Sequence, residues 1–114
     1  MTECLFCKIV EGAIPADIVY ENANVVCFRD IDPQAPTHVL VIPRRHIASL
    51  LDVGPRESEL LGSLQLAALE VARTLGLEDR GFRLVANCGD DGGQSVAHIH
   101  LHLLGGRALS WPPG

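Results

Sequence analysis

Three histidines alternate with apolar residues near the end of this 114-residue chain, as His98-Ile99-His100-Leu101-His102. The segment from His98 to Leu104 is typical of a strand, in which successive side chains point to opposite faces of the sheet. We therefore expect the three imidazoles to share one face. Two kinds of chemistry use such a row. One is the binding of a zinc ion; the other is attack by one neutral imidazole whose neighbours fix its tautomer and carry protons.

A glycine-rich loop, Asn87-Cys88-Gly89-Asp90-Asp91-Gly92-Gly93-Gln94-Ser95, comes directly before that strand. Its glycines allow backbone N–H groups to approach an anion closely and to form a nest for a phosphate. Gln94 and Ser95 add neutral donors beside the first histidine. A catalytic zinc hydrolase would need a nearby carboxylate, and the strand offers none. The loop therefore favours phosphate chemistry, with Asp90 and Asp91 expected to face solvent.

The elements that must position these residues form an α+β pattern. The sequence predicts a short helix within 6–11, one long helix between Pro55 and Gly76, and strands at 18–21, 25–28, 38–42, 82–87 and 98–104. The long helix carries an apolar stripe at helical spacing: Leu60, Leu64, Ala67, Val71 and Leu75. Because the order is strands, helix, strands without a βαβ rhythm, we expect one domain, 1–114, with a mainly antiparallel sheet of about five strands.

Composition and charge narrow the classes of protein and partner. Apolar residues make up 47% and charged residues 20% of the chain, which is usual for a globular protein and excludes a disordered or collagen-like one. No apolar run approaches the roughly 20 residues that span a bilayer, and the first residues do not resemble a secretory signal. We expect a soluble cytoplasmic protein with no membrane partner. The net charge of −5, with clustered bases only at Arg44 and Arg45, also argues against a nucleic acid polymer as partner.

The four cysteines fall into two groups. In a protein without a secretory signal, reduced thiols are expected rather than disulfides. Cys27 and Cys88 lie in strand-like apolar stretches, and we expect both to be small buried side chains. Cys4 and Cys7 have the C-x-x-C spacing that a metal ion or a redox couple uses.

The chain resembles the histidine triad (HIT) superfamily, and within it the Hint branch of purine nucleoside phosphoramidases. The signature of that superfamily is His-φ-His-φ-His-φ-φ, where φ is apolar, and the segment 92–106 matches it. The likeness extends over almost the whole chain. Its further blocks are 6–15, 30–38, 41–43, 104–107 and the closing Trp111-Pro112-Pro113-Gly114.

This resemblance implies a fold, an assembly and a reaction. Protomers of the family pair into a two-fold dimer with a continuous sheet. The reaction is cleavage of the P–N bond of a purine nucleoside 5′-phosphoramidate, through a covalent nucleotidyl-histidine intermediate, with release of AMP or GMP. No cofactor is expected to be required for this chemistry.

By position, the resemblance also implies a role for each site residue. His100 is the nucleophile, His102 binds the phosphate, and His38 and His98 complete the imidazole network. Ser95, Gln94 and the loop N–H groups, Gly93 among them, hold the phosphate and approach the leaving group, while Asn87 lies beside it. Asp30 binds the ribose hydroxyls, although a loop-capping role is also open. The apolar slot for the purine, whose members could equally be core, comprises Phe6, Ile9, Phe28, Ile31 and Leu40.

The amino-terminal cysteine pair leaves a second question open. Some members of the wider family hold a structural zinc ion with such a pair and two histidines, which here correspond to His46 and His98. Many Hint-branch members lack the cysteines, so two unligated thiols are the alternative. If zinc is bound by Cys4, Cys7, His46 and His98, then His98 is a ligand and leaves the proton network.

Three other functions compete with the phosphoramidase. The same fold could serve a dinucleoside polyphosphate hydrolase or nucleotidyl transferase, or a nucleotide-binding module that regulates a partner. A zinc hydrolase is the third, and it would lose activity on chelation. Gln94, Ser95 and the Trp-Pro-Pro-Gly ending favour the Hint branch.

Overall fold

The computed structural model describes residues 4–114. In chain order its elements are α1 (Leu5–Val10), β1 (Ile18–Glu21), β2 (Val25–Arg29), β3 (Thr37–Pro43), α2 (Ser58–Thr74), β4 (Phe82–Ala86) and β5 (Leu101–Gly105). Two short 3₁₀ turns, Leu50–Asp52 and Pro55–Glu57, lead into α2. One long helix and one short amino-terminal helix therefore accompany five strands, as the sequence predicts.

The five strands form one antiparallel sheet in the order β1-β2-β3-β5-β4. β3 and β5 are neighbours at its centre, where Leu40 faces His102 across the strand pair. The α+β expectation is confirmed. The central position of β5 matters for the site, because it brings the histidine-bearing segment against the strand that carries His38.

The two faces of the sheet have different coverings. Helix α2 packs on one face against alternate residues of β2, β3 and β5, in a core that includes Val25, Val39, Val41 and Leu103. Helix α1 packs on the other face against the intervening residues, in a smaller cluster: Phe6, Ile9, Val26, Phe28, Leu40 and Ile42. His38 and His102 have the parity of this second face. The short α1 covers it only partly, and the remaining space forms the site described below.

Helix α2 follows from its sequence. Gly54 N–H donates to Glu57 Oε1 at 2.8 Å, which caps the Pro55–Glu57 turn. The apolar stripe is buried through Leu64, Ala67 and Val71. The helix stops before Gly76, whose positive φ of 75° is open to glycine at little cost. In the described residues, 4–114, no helix is both long enough and apolar enough to span a membrane.

Three expectations need correction. Strand β5 begins at Leu101 rather than His98, because Ile99 N–H bonds singly to the Ile47 carbonyl at 2.7 Å and no ladder continues there. The α-helix proper begins at Ser58, after the 3₁₀ turn at Pro55–Glu57. Cys27 is fully buried as expected, but Cys88 lies beyond β4 and is only partly buried.

Candidate functional site

A cavity of about 290 Å³ opens between α1, β2, β3 and the segment before β5. The residues proposed for the purine slot all line it: Phe6, Ile9, Phe28, Ile31 and Leu40. Asp30, Ser95, His100 and His102 contribute polar groups to the same wall. The cavity therefore has a mostly apolar lining with a few polar groups, which is typical of a small-molecule site. Ile31 is fully exposed at its rim.

The fold fixes the tautomer of His100. Its Nδ1 lies 2.7 Å from the carbonyl oxygen of His98. A carbonyl oxygen only accepts, so Nδ1 must carry the hydrogen and Nε2 of the neutral ring carries the lone pair. The ring packs edge-on against Phe6, with centroids 5.1 Å apart. His100 is thus a buried imidazole at the cavity wall with a bare Nε2, as a nucleophile requires.

A second chain of contacts fixes the tautomer of His102. The Gln34 backbone N–H donates to His38 Nδ1 at 3.0 Å, so the hydrogen of the neutral His38 ring must be on Nε2. His38 Nε2 lies 2.9 Å from His102 Nδ1, which must accept. The hydrogen of a neutral His102 is therefore on Nε2. His102 lines the cavity as a hydrogen-bond donor, whereas its neighbour His100 offers a lone pair.

Burial keeps both members of this pair neutral near pH 7. It lowers the pKa of His38 despite the opposing influence of the carboxylates of Asp30 and Asp32. Burial, reinforced by the nearby His100 and His38 rings, lowers the pKa of His102 to about 4. A neutral pair is consistent with the assigned tautomers, because a protonated ring could not accept from its neighbour.

Asp30 connects the cavity wall to the pair formed by His38 and His102. Its Oδ2 lies 3.4 Å from His38 Nε2, and both side chains are largely buried. Its Oδ1 accepts the Asp32 N–H at 2.9 Å, which is the loop-capping interaction considered from sequence. Capping and a place in the cavity wall therefore coexist, and the contact with ribose hydroxyls stays a prediction.

The glycine-rich loop uses many of its polar groups internally. Gln94 Nε2 donates to the Ala48 and Val96 carbonyls at 2.7 and 3.1 Å, and its Oε1 accepts the Gly89 N–H at 3.1 Å. Asn87 Nδ2 donates to the Gly92 carbonyl at 2.6 Å. The N–H groups of Gly93 and Gln94 donate to loop carbonyls as well. In this conformation these groups hold the loop in shape, and their contact with a phosphate remains a prediction.

Ser95, Asp90 and Asp91 are the exposed side chains of that loop. Ser95 lines the same cavity as His100 and His102, and its contact with the phosphate and the leaving group stays a prediction. Asp90 and Asp91 face solvent, as expected from the repulsion that they would otherwise exert on a phosphate.

A separate cluster brings together Cys4, Cys7, His46 and His98, with one ligand atom of each within 4.8 Å of all the others. The two Nδ1 atoms lie 3.3 Å apart, and Nδ1-to-Sγ distances run from 3.3 to 3.6 Å. A tetrahedral zinc ion bound by two thiolates and two imidazoles would place these atoms about 3.4–3.6 Å apart. The four residues therefore fit a structural zinc ion.

The chemistry of the donor set agrees with its geometry. His98 Nε2 lies 2.9 Å from the Pro43 carbonyl oxygen, so Nε2 carries the hydrogen and the bare Nδ1 faces the thiols. The Cys7 N–H points at Cys4 Sγ, 3.2 Å away, an arrangement that favours a thiolate. Without a metal ion, burial raises the pKa of Cys7 to about 11, so metal binding must displace a proton there.

The side chain of His98 therefore lies away from the pair formed by His38 and His102, where the resemblance implied an imidazole network. Its ring lies in the cysteine cluster, and its link to the cavity is the backbone carbonyl that holds His100 Nδ1. Sequence reasoning missed the groups that fix the tautomers, which are the Gln34 N–H and the carbonyls of His98 and Pro43. Backbone groups have no side-chain signature, so no sequence pattern points to them.

Comparisons with known proteins agree with this description. Residues 11–109 match the HIT domain family. A HIT family hydrolase from Legionella pneumophila is 55% identical, with a TM-score of 0.96 over 98% of this chain and all of that one. A histidine triad nucleotide-binding protein from Candida albicans is 31% identical, with a TM-score of 0.83 over 96% of this chain and 83% of that one. A 14 kDa zinc-binding protein of Zea mays is 51% identical over 112 residues, which cover 96% of this chain and 87% of the relative.

These matches cover most of the chain at high identity. The chain belongs to the HIT domain family. Its fold is the one that HIT family hydrolases and nucleotide-binding proteins share.

Proposed function

We propose that the protein is a purine nucleoside phosphoramidase of the Hint branch, which hydrolyses the P–N bond of nucleoside 5′-phosphoramidates and releases AMP or GMP. The observation that carries this proposal is the bare Nε2 of His100 at the wall of a cavity whose mostly apolar lining also includes Asp30, Ser95 and His102. The names of the Legionella hydrolase and the Candida nucleotide-binding protein point to the same class of activity.

In the proposed first step, His100 Nε2 attacks the α-phosphorus. A bond forms between Nε2 and phosphorus, and the P–N bond of the substrate breaks with its electron pair. The leaving nitrogen takes up a proton, delivered from solvent through the hydroxyl of Ser95. His102 Nε2–H donates to a phosphoryl oxygen, whose negative charge grows in the transition state.

In the second step, water attacks the nucleotidyl-imidazole and releases the nucleotide. His100 Nε2 is the leaving group and regains its lone pair, while the proton of the water passes to solvent. The Nδ1–H bond to the His98 carbonyl holds the ring in the same tautomer before and after the cycle. The nucleophile is thereby ready for the next substrate without a rotation.

Charge favours an amine over a phosphate as the leaving group. Arg29 is the only cation among the residues that line the described cavity, and it lies 3.5 Å from the Asp17 carboxylate. Asp30 lies in the wall, and Asp90 and Asp91 are exposed on the neighbouring loop. A polyphosphate leaving group would meet little compensating charge here, whereas an amine or a lysyl group would be neutral or cationic.

We also propose a structural zinc ion on Cys4, Cys7, His46 and His98, as the geometry of the cluster and the name of the maize relative suggest. When bound, the ion would tie the start of α1 to the segments that carry His46 and His98. None of the four ligand atoms is the attacking nitrogen. Hydrolysis is therefore expected to proceed without the ion as long as the chain stays folded.

A two-fold dimer with a continuous sheet fits the edge strand β4. At the opposite edge, β1 has an irregular register between Ile18 and Tyr20, and such a bulge discourages pairing. β4 pairs with β5 in regular register. Arg83 of β4 donates to the Leu109 and Ser110 carbonyls and so ties the start of the carboxyl tail to this strand. We therefore expect Trp111 to come close to a partner.

One comparison of substrates tests the proposed activity. Adenosine 5′-phosphoramidate and a diadenosine polyphosphate are offered to the purified protein, with and without a chelator, and released AMP is measured. The phosphoramidate should be preferred by about tenfold or more, equivalent to roughly 1.4 kcal/mol in transition-state free energy, and the chelator should leave its turnover in place. Preference for the polyphosphate would identify the other branch. Loss of activity with the metal, in a chain that circular dichroism shows to be still folded, would indicate a zinc hydrolase.

A further inference from the structure

A small contact region lies behind the imidazole pair, outside the cavity, where the end of β5 meets the loop before β3. Arg107 Nη2 donates to the Gln34 carbonyl at 2.9 Å, and its Nη1 donates to the Ala108 carbonyl at 3.0 Å. A methyl group at Gly106 would lie 2.8 Å from Pro36 Cβ, so only glycine allows this close approach. We call this contact of Gly106 and Arg107 with the loop residues Gln34 and Pro36 the seam.

The seam is connected to the reacting groups through one residue. Gln34 accepts from Arg107 through its carbonyl and donates through its N–H to His38 Nδ1 at 3.0 Å. That N–H is the group that places the His38 hydrogen on Nε2, from which it reaches His102 Nδ1 at 2.9 Å. Arg107 itself is exposed and is not among the residues that line the cavity.

The Asp30 carboxylate, whose Oδ2 lies 3.4 Å from His38 Nε2, favours the same tautomer of His38. Loss of the Gln34 N–H would therefore lower the preference for Nε2–H, because Nδ1 would no longer be held as an acceptor. The neutral imidazole has two tautomers of similar energy, and a single well-aligned hydrogen bond decides between them. If Gln34 moved away, His38 could carry its hydrogen on Nδ1, and His102 could then donate from Nδ1 instead of accepting. His102 would present a lone pair to the phosphate in place of an N–H.

We propose that Arg107, supported by the close contact at Gly106, is a positioning residue that holds the Gln34 backbone and thereby fixes His102 as a hydrogen-bond donor to the substrate. This inference deepens the proposed function and rests on it for the kinetic readout. The tautomer of His102 can be read without any substrate. Failure of the inference and failure of the proposed function are therefore distinguishable.

The test uses protein labelled with ¹⁵N in its histidine rings, whose long-range proton–nitrogen correlations report which nitrogen carries the hydrogen. Arg107→Ala removes the contact with Gln34. Arg80→Ala is the matched control, because Arg80 is an exposed arginine on the same surface depression as Arg107 and its removal changes the net charge equally. Arg107→Lys keeps the charge and one donor. Gly106→Ala displaces the loop by a different route, with the open helical position Gly62→Ala as its control.

In the wild type, His102 should carry its hydrogen on Nε2. In Arg107→Ala and in Gly106→Ala, the ratio of the Nε2–H to the Nδ1–H tautomer of His102 should fall by about fivefold. This is the effect of losing one hydrogen bond. The kcat for a phosphoramidate should fall with it, while KM stays nearly constant. Arg80→Ala and Gly62→Ala should match the wild type, and Arg107→Lys should recover part of the loss.

Two results would overturn the inference. One is a wild type whose His102 carries its hydrogen on Nδ1. The other is that Arg107→Ala and Gly106→Ala both fold and both keep the wild-type tautomer ratio of His102. If the tautomer ratios behave as expected and no variant, nor the wild type, hydrolyses a phosphoramidate, the positioning role stands. The proposed function then fails.

Discussion

Two imidazoles only two residues apart, His98 and His100, lie in sites with opposite uses. Each is held by one backbone carbonyl, and each keeps one bare nitrogen. In His98 the Pro43 carbonyl takes Nε2–H and leaves Nδ1 facing two thiols and His46. In His100 the His98 carbonyl takes Nδ1–H and leaves Nε2 at the cavity wall.

The difference teaches that the choice of the anchored nitrogen decides the chemistry. An imidazole anchored through Nε2 beside thiols is placed to bind a metal ion, whereas one anchored through Nδ1 beside an open cavity is placed to act as a nucleophile. The same motif supplies both rings. The two sites also remain linked, since the backbone carbonyl of His98 is the group that holds His100.

The largest effect is expected from the replacement of the proposed nucleophile. His100→Ala should lower the turnover of adenosine 5′-phosphoramidate by about a thousandfold or more, because it removes the atom that we propose attacks phosphorus. AMP binding, measured by calorimetry, should remain detectable, because the apolar wall and Asp30 are untouched. Wild-type turnover in this variant would contradict the assignment of His100 as the nucleophile and of His98 as a metal ligand.

The next effect concerns the other site. Cys7→Ser should abolish stoichiometric zinc binding and lower the melting temperature by roughly 5–10 °C, because a structural metal ion stabilises only the folded chain. Turnover per folded molecule should persist. Cys88→Ser, which changes a half-buried thiol outside the cluster, is the control for the loss of a sulfur. Unchanged zinc content in Cys7→Ser would show that the cluster of Cys4, Cys7, His46 and His98 is not the zinc site.

A smaller effect is expected in the dependence of stability on pH. The folded chain lowers the pKa of His102 to about 4, against about 6.5 in an unfolded chain. The resulting stability is complete above the unfolded pKa and is lost as the pH falls from about 6.5 towards 4, because the unfolded chain alone takes up the proton.

In the wild type, titration of His102 should lower the free energy of unfolding by about 2 kcal/mol between pH 7 and pH 5. His102→Gln should remove this part of the fall, as measured by urea denaturation. His38 and His98, whose pKa values burial also lowers, would supply the remaining dependence. A variant with the full wild-type slope would show that His102 does not titrate as described.

The smallest effect belongs to the carboxyl tail. Trp111 is 80% exposed, and the Leu109 and Ser110 carbonyls just before it accept from Arg83 of β4, the strand at which we expect a partner protomer. Trp111→Ala should change the relative kcat/KM for amine and lysyl leaving groups by about threefold, since one aromatic contact contributes modestly. If the variant and the wild type have the same preference between amine and lysyl leaving groups, the tail does not contribute to the partner's site. A mass measurement in solution would show whether the dimer persists.

The elements of the fold follow from local patterns that the sequence displays. β-branched runs predict β1, β2 and β3 to within a residue or two, and the stripe of α2 predicts its buried face. The start of β5 is predicted wrongly, because His98 to His100 alternate like a strand but find no ladder partner. Alternation reports which face a side chain takes and not whether the backbone is paired.

The site is predictable only in part, for a physical reason. The C-x-x-C spacing predicts two metal ligands, but His46 and His98 are far away in the chain and enter only through the family resemblance. The tautomers depend on backbone carbonyls and on the Gln34 N–H, which any residue type could provide. Gln94 has an amide suited to a phosphate, yet that amide is occupied by Ala48, Val96 and Gly89.

The most direct test of the central claim is to trap the covalent intermediate. Excess protein is mixed with adenosine 5′-phosphoramidate, quenched in base within a single turnover, digested and examined by tandem mass spectrometry. The account predicts an adenylyl group on the ring of His100 that forms and decays as AMP appears. An adenylyl group on His98, His102 or any other residue, or complete conversion with no labelled protein at any time, would contradict it.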